Sequence, residues 1–355
     1  MKNLALDLGK SKTVSCLLDS KTAHHRYETV KSTPFSIHQL FERTQPERIV
    51  FETSSMAGWV YDIAATFDVS KQVANPNHES WRWRNTKSKT DRKDALKLAK
   101  LSAVGQLPTV HMPSPAVRQW RALIKYRQKL VGRRTAIKNN IRCILDRQGL
   151  TMKSGTGGWT LEGLAYLHKL ARPMADVELD ELWRGQLQLE LEQLLAMEQQ
   201  IGSVQQKLDI IGKANHRVEL LRTIPGVGPR LSEALVAAID DPHRFASRKE
   251  ISSYFGLVPK QYESGQMSRS GRITKQGNTL VRNLLLEVSW LALRYNPWVR
   301  QTYQLIRRNS KTRWHIAIVA VARRLMVRAW AMLRDETPWQ APPLIEINDP
   351  VVAAV

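Results

Sequence analysis

The chain has 355 residues, 43% hydrophobic and 24% charged, the composition of a folded protein long enough for two or more cores. Its 54 Lys and Arg against 32 Asp and Glu leave a net charge of +22, which points to a polyanionic partner. Two cysteines, Cys16 and Cys143, exclude a disulfide framework and a cysteine zinc cluster, and a soluble, intracellular protein is expected because there is no apolar leader, no lipid anchor, and no apolar run that escapes interruption by Arg323, Arg324 and Arg328.

In chain order, residues 3–8 read as a short buried strand carrying Asp7, followed by strands near 13–18 and 27–30 and a helix near 37–43. Arg48-Ile49-Val50-Phe51-Glu52 reads as a further strand ending on a carboxylate, then a helix over 56–67 and a strand over 69–74. Strands alternating with helices over about 75 residues predict one α/β domain. The linker at 77–89 is basic and bears Trp81 and Trp83. Its Arg82, Arg84, Lys87 and Lys89 suit phosphates, with the two indoles either stacking on unpaired bases or packing on the domain.

Lys89-Thr90-Asp91-Arg92-Lys93-Asp94-Ala95 is the stretch around which the rest is organised. Asp91 and Asp94 are spaced to share one face of a helix. They read either as half of a metal site or as a solvated helix start, with Thr90 as N-cap and both acids near the positive end of the helix dipole. Four carboxylates in the order Asp7, Glu52, Asp91, Asp94, on strand, strand and helix, match the arrangement of a ribonuclease-H-like nuclease. Such a cluster needs cations, and two Mg²⁺ ions meet that need.

From residue 116 to 148 a helical pattern carries Arg118, Arg121, Lys125, Arg133 and Arg134 among ten cations and is expected to lie along a nucleic-acid backbone. Residues 81–147 hold 18 Lys and Arg against three acids, and residues 267–334 hold 14 against Glu287 alone, so these blocks are expected to be the nucleic-acid surfaces; solvated faces are the alternative. Residues 154–158 mark a flexible boundary. Leu187, Leu194, Met197, Ile201, Val204, Leu208 and Ile211 then follow a heptad seam, which reads as a dimerising coiled-coil arm or as a helical hairpin within one chain.

Thr223-Ile224-Pro225-Gly226-Val227-Gly228-Pro229 leads into a helix over 230–239 as in a helix-hairpin-helix, where Gly226 and Gly228 let backbone N–H groups approach a phosphate. A helical stretch over 245–257 precedes a polar, basic, Gly-rich loop containing Ser264, Ser268, Ser270, Arg269, Arg272 and Lys275, then two or three closing helices and a tail over 336–355. The loop suits phosphate binding, and its hydroxyls include a candidate nucleophile.

The ordered set Leu6-Asp7-Leu8-Gly9, Phe51-Glu52-Thr53, the 89–95 motif, Ile224-Pro225-Gly226-Val227-Gly228, Phe255-Gly256-Leu257-Val258-Pro259, Glu263-Ser264-Gly265 and Arg272-Ile273-Thr274-Lys275-Gln276-Gly277-Asn278 resembles the DEDD transposases of the one-ten insertion-sequence family, which includes the Piv recombinase. The likeness spans roughly residues 3–335. It implies a RuvC-like domain in which Asp7, Glu52, Asp91 and Asp94 hold Mg²⁺, and a carboxy-terminal transposase domain in which Ser264 attacks the scissile phosphate and becomes linked to a DNA 5′ end. It also implies element-end and target duplex DNA and a structured guide RNA as partners, sites assembled between subunits of a dimer or tetramer, and a cytoplasmic, nucleoid-associated bacterial setting. The chain departs from the family's usual residues at Ser54-Ser55, Thr274 and Gln276.

The reading is thus an α/β plus α recombinase: a RuvC-like (RNase-H-like) domain with its basic helical extension over 1–150, a helical, coiled-coil linker over 151–215, a mainly α transposase domain with a helix-hairpin-helix over 216–335, and a tail over 336–355. A branched-DNA resolvase using metal-activated water is the nearest alternative, and a non-catalytic binding protein the next.

Overall fold

The computed structural model describes residues 1–76, 90–264 and 267–343. The chain divides into two compact units, Met1–Arg118 and Gln119–Val355. No helix among the described residues is long and apolar enough to cross a membrane.

The first unit is built on a sheet of β1 (Lys2–Leu8), β2 (Lys12–Asp19), β3 (His25–Lys31), β4 (Arg48–Glu52) and β5 (Ser70–Ala74), in the order β3-β2-β1-β4-β5. β1, β2 and β3 form an antiparallel meander, whereas β1, β4 and β5 run parallel. Parallel strands need crossovers, supplied here by α1 (Pro34–Thr44) and α2 (Ala57–Ala64). α1 opens on Thr33, whose side chain accepts from the Ser36 N–H, and on Pro34 in the first turn, where a missing N–H costs nothing. Alternation sorts the strand residues between two cores. Leu4, Leu6, Ile49 and Phe51 pack with Ile37, Leu40, Phe41 and Val60 under α1 and α2, while Ala5, Cys16, Leu18 and Val50 pack with Ala95, Leu98 and Ala99 of α3 (Asp91–Ala103).

The second unit is mainly helical. It takes in nearly all of α4 (Pro115–Arg147), with α5 (Leu161–Leu170), α6 (Leu182–Lys213), α7 (His216–Arg222), α8 (Pro229–Ile239), α9 (Arg248–Tyr254), α10 (Thr279–Tyr295), α11 (Pro297–Arg307) and α12 (Trp314–Asp335). The seam of α6 is covered from within the chain, because Leu187, Leu191 and Leu194 pack with Ile137, Ile141, Ile144 and Leu145 of α4 and Leu167 of α5. α8 is buried at every position from Leu231 to Ile239. The stretch read as a Gly-rich loop is instead a two-stranded antiparallel ribbon, β6 (Pro259–Ser264) and β7 (Met267–Ile273).

Burial of α8 takes Glu233 with it, at 1% exposure, against Arg230 at 2.9 Å. Loss of water pushes its carboxyl up to about 6 from 4.5, with Arg230 and Arg127 opposing the rise. Because the folded value lies above the unfolded one, the contribution of this group is fully present below pH 4.5 and is lost as pH rises through about 6. Glu233→Gln removes that loss. Between these limits its stability relative to the parent, measured by denaturant unfolding, is expected to improve by about 2 kcal/mol. A difference that does not change with pH would refute the assignment.

Candidate active site

Strand register places the first two carboxylates. Leu6 of β1 lies opposite Phe51 of β4 in the parallel pair, so Asp7 and Glu52 occupy the next positions at the same end of neighbouring strands. Asp7 is two residues beyond Ala5, and Glu52 two beyond Val50, so both belong to the face that α3 covers. Each is half-buried.

α3 begins immediately after Thr90, whose side chain accepts from the Lys93 N–H at 3.4 Å. Ala95, Leu98 and Ala99 face the sheet, and the helical repeat carries Asp91 and Asp94 onto the same side one turn earlier. The tail of the helix is fixed at the beginning of β4, where Arg48 donates to the Ser102 carbonyl at 2.9 Å and the Ser102 hydroxyl donates to Gln72 at 2.7 Å. Its head therefore points towards the strand ends that carry Asp7 and Glu52. Arg92 lies over the Tyr27 ring, 5.6 Å from its centroid, and steadies the head against β3.

Four carboxylates without histidine or cysteine are hard oxygen donors suited to Mg²⁺, and their backbone positions share one face and one end of the sheet. The donor set fits a divalent cation in chemistry. The side chains are not drawn into a closed cluster, however; among the described residues no three His, Cys, Asp or Glu side chains form a group able to hold a metal ion.

Ser264 ends β6 and pairs with Met267. Alternation along the ribbon puts Tyr262, Ser264, Met267 and Arg269 on one face and Glu263, Ser268 and Ser270 on the other. Ser264 thus has Arg269 as its diagonal neighbour, whereas its two rival hydroxyls lie on the opposite face beside Glu263. Both strands are exposed. The root of the ribbon is rigid. The Thr274 N–H donates to the Val258 carbonyl at 2.9 Å and the Lys275 N–H to that of Gly256 at 3.2 Å. Arg282, only 6% exposed, donates to the carbonyls of Phe255 at 3.1 Å and Gln276 at 2.8 Å. Sequence reasoning missed Arg282; the signal was a guanidinium between Val281 and Leu285 on a buried helical stripe, where a charge needs partners.

The other predicted residues divide. Arg82, Arg84, Lys87 and Lys89, with Trp81 and Trp83, lie outside the described residues. On α4, Lys125 and Arg133 are exposed. Three neighbours are engaged within the protein. Arg118 pairs with Asp62 and donates to the Pro113 carbonyl at 2.7 Å, Arg121 donates to the Ala237 and Ala238 carbonyls at 2.5 and 3.0 Å, and Arg134 pairs with Glu198 at 3.2 Å. Arg121 thereby satisfies orphan carbonyls at the end of α8. Gly226 adopts φ +89°, and a Cβ there would stand 2.9 Å from Cα of Ala292, so packing against α10 already requires the glycine. Gly228 caps α8 with open space around it. Arg269 and Arg272 are exposed on β7, and Lys275 is exposed in the left-handed region at φ +57°.

Comparison with known proteins fits this arrangement. The family described as transposase of the DEDD IS110 type matches residues 4–149, and that described as the IS116/IS110/IS902 transposase family matches residues 218–304. The transposase for insertion sequence element IS1111A of Coxiella burnetii is 29% identical over 298 residues, covering 81% of this chain and 78% of that protein. A probable family 20 transposase of Pseudomonas aeruginosa is 26% identical over 257 residues, 70% of this chain and 73% of its own length. The pilin gene-inverting protein of Moraxella bovis is 31% identical over 137 residues, 38% and 42% of the two chains.

The mixed sheet and the helical unit that follows it, matched by transposase families and by a pilin gene-inverting protein, are thus those of a DNA transposase or recombinase. Both family matches fall in chain order, one in the sheet and its basic extension and the other in the helical unit. The chain belongs to the IS110 family of insertion-sequence transposases.

Proposed function

We propose that the chain cleaves and exchanges DNA strands through a 5′-phosphoserine formed on Ser264, with Asp7, Glu52, Asp91 and Asp94 holding Mg²⁺. The observation that carries the metal assignment is the register of Asp7 and Glu52 on the α3 face, at the end towards which the first turn of α3 points. Bound there, Mg²⁺ supplies neutralisation of the carboxylates and polarisation of a phosphodiester oxygen.

The chain's own residues supply the rest. The Ser264 hydroxyl loses its proton as its oxygen bonds to phosphorus, and the bond from phosphorus to the 3′ oxygen breaks as that oxygen gains a proton. The phosphodiester's energy is kept in the serine ester, so reversal onto another 3′ hydroxyl rejoins strands without an external energy source. Arg269, on the same ribbon face, is placed to offset the charge of the phosphoryl group. Arg272, Lys275 and the open start of α8 at Gly228 hold flanking phosphates, as do Lys125 and Arg133. The working parts are residues 1–150 with the tetrad, 151–215 as helical linker and 216–335 with the α7–α8 pair as a helix-hairpin-helix; duplex element ends and target, a structured guide RNA and a homo-oligomer, dimer or tetramer, complete the assembly.

Trapping tests this. Incubation with element-end DNA and Mg²⁺, followed by denaturation, is expected to leave protein attached to a DNA 5′ end. Ser264→Ala should reduce the adduct to background, while Ser268→Ala and Ser270→Ala keep it. Cleavage with no adduct would return the chain to metal-assisted hydrolysis and overturn the serine assignment.

A further inference from the structure

A cleft of about 560 Å³ in the second unit, between α9 and α12, is lined by Arg248, Lys249, Arg323, Arg324 and Arg328, with Trp298 in its wall. None of its lining residues is a carboxylate. Three half-buried arginines elsewhere are matched by acids, Arg230 by Asp209 and Glu233, Arg118 by Asp62, and Arg134 by Glu198, while Arg121 and Arg282 are held by carbonyls; of the cleft cations Arg323 is half-buried and the other four are exposed. Among the described residues these five cations form no ion pair.

The local arrangement is unfavourable to the chain standing alone. Arg248 and Lys249 are adjacent cations in the first turn of α9, which also carries Glu250. Arg324 and Arg328 are like charges one turn apart on α12, a spacing that costs stability. Burial, followed by the neighbouring Arg323, pulls the Arg324 guanidinium below its usual value. An anion in the cleft relieves both effects on α12. Arg328 also lies over Trp298, 5.8 Å from the ring centroid, so an apolar surface for a sugar or base adjoins the charges.

We propose that this cleft binds the sugar–phosphate backbone of a nucleic-acid strand, its phosphates held by Arg323, Arg324, Arg328, Arg248 and Lys249. Arg324 and Arg328 are about 6 Å apart along the helix axis, comparable with the spacing of successive phosphates on one strand. Val258, the residue before β6, also lines the cleft, so a strand held here runs beside the root of the ribbon. The inference rests on the chain's acting on nucleic acid, but not on Ser264 or the carboxylates.

The test is a salt series of binding isotherms by fluorescence anisotropy on the full chain, with duplex DNA, single-stranded DNA and single-stranded RNA as separate probes. For the strand the cleft takes, Arg324→Ala/Arg328→Ala is expected to lower the slope of log affinity against log salt by about 1.8 if duplex or about 1.4 if single-stranded. The probe with the larger slope change identifies the source. A charge-matched control, Lys169→Ala/Lys207→Ala, should leave the slope near the parent's. Should the α12 variant melt early, Arg248→Ala/Lys249→Ala on the exposed face of α9 replaces it with the same expected slope change. An unchanged slope with every probe, or an equal change in the control, overturns the cleft. Either result alongside an intact Ser264 adduct removes this site alone.

Discussion

Asp7→Asn is expected to reduce strand cleavage by about 10²–10³-fold, equivalent to roughly 3–4 kcal/mol of lost transition-state stabilisation, while leaving salt-sensitive DNA binding near the parent level. Asparagine keeps the volume of the half-buried side chain and the strand register with β4, so the substitution removes a charge and little packing. Glu52→Gln should behave alike, because its neighbouring position on β4 makes it the same kind of donor. Asp91→Asn is the sharper discriminator. If Asp91 served only the positive end of α3, its loss would cost about 0.3–1 kcal/mol of stability with cleavage unaffected. As a ligand, its loss should abolish cleavage with little change in melting. Calorimetric titration of DNA-free protein with Mg²⁺ supplies a readout besides activity, and each carboxylate variant should weaken the heat signal. Undiminished cleavage and unchanged Mg²⁺ heat in all three variants would return the acids to capping and turn roles.

The parts of the site legible in the sequence are those where one local rule decides. Short apolar runs announced β1 and β4 and so put Asp7 and Glu52 on strands, and Thr90 announced the start of α3, whereas the face that each acid takes follows only from the pairing register. The heptad seam of α6 was ambiguous for a physical reason: the same stripe is satisfied by a partner helix or by Ile137 and Ile141 of the same chain, and sequence spacing does not specify which. The β6–β7 ribbon was illegible as strand because both its faces meet solvent, which removes the apolar alternation that announces a strand. Charge counting likewise could not separate Lys125, which faces water, from Arg121, which closes the end of α8, since both add one unit to the same basic block. The cleft cations belong to distant sequence segments that only packing brings together.

The ribbon's exposure makes its root the weak point, and Gly277→Ala is expected to cost on the order of 3 kcal/mol. Gly277 sits at φ +78°, and an added Cβ would overlap the Tyr254 carbonyl oxygen; Gly256, at φ +66°, meets the Gln276 carbonyl in the same way. The two loops therefore approach backbone to backbone with no space for a methyl group, and neither obstacle is a flexible side chain that can swing aside. Gly105 separates the two components of the cost. It has φ +70° but nothing within reach of a Cβ, so Gly105→Ala should lose only the left-handed preference, about 1–2 kcal/mol. In thermal unfolding the Gly277 variant is expected to drop by roughly 6–12 °C. Ser264 and Arg269 retain their chemistry in this variant but lose a fixed base, because the Gly256–Lys275 and Val258–Thr274 hydrogen bonds and the Arg282 contacts to Phe255 and Gln276 all cross the same junction. Adduct yield should therefore fall below that of the Gly105 variant when both are assayed at a temperature where each remains folded. Equal yields would mean that the ribbon positions its serine without help from its root.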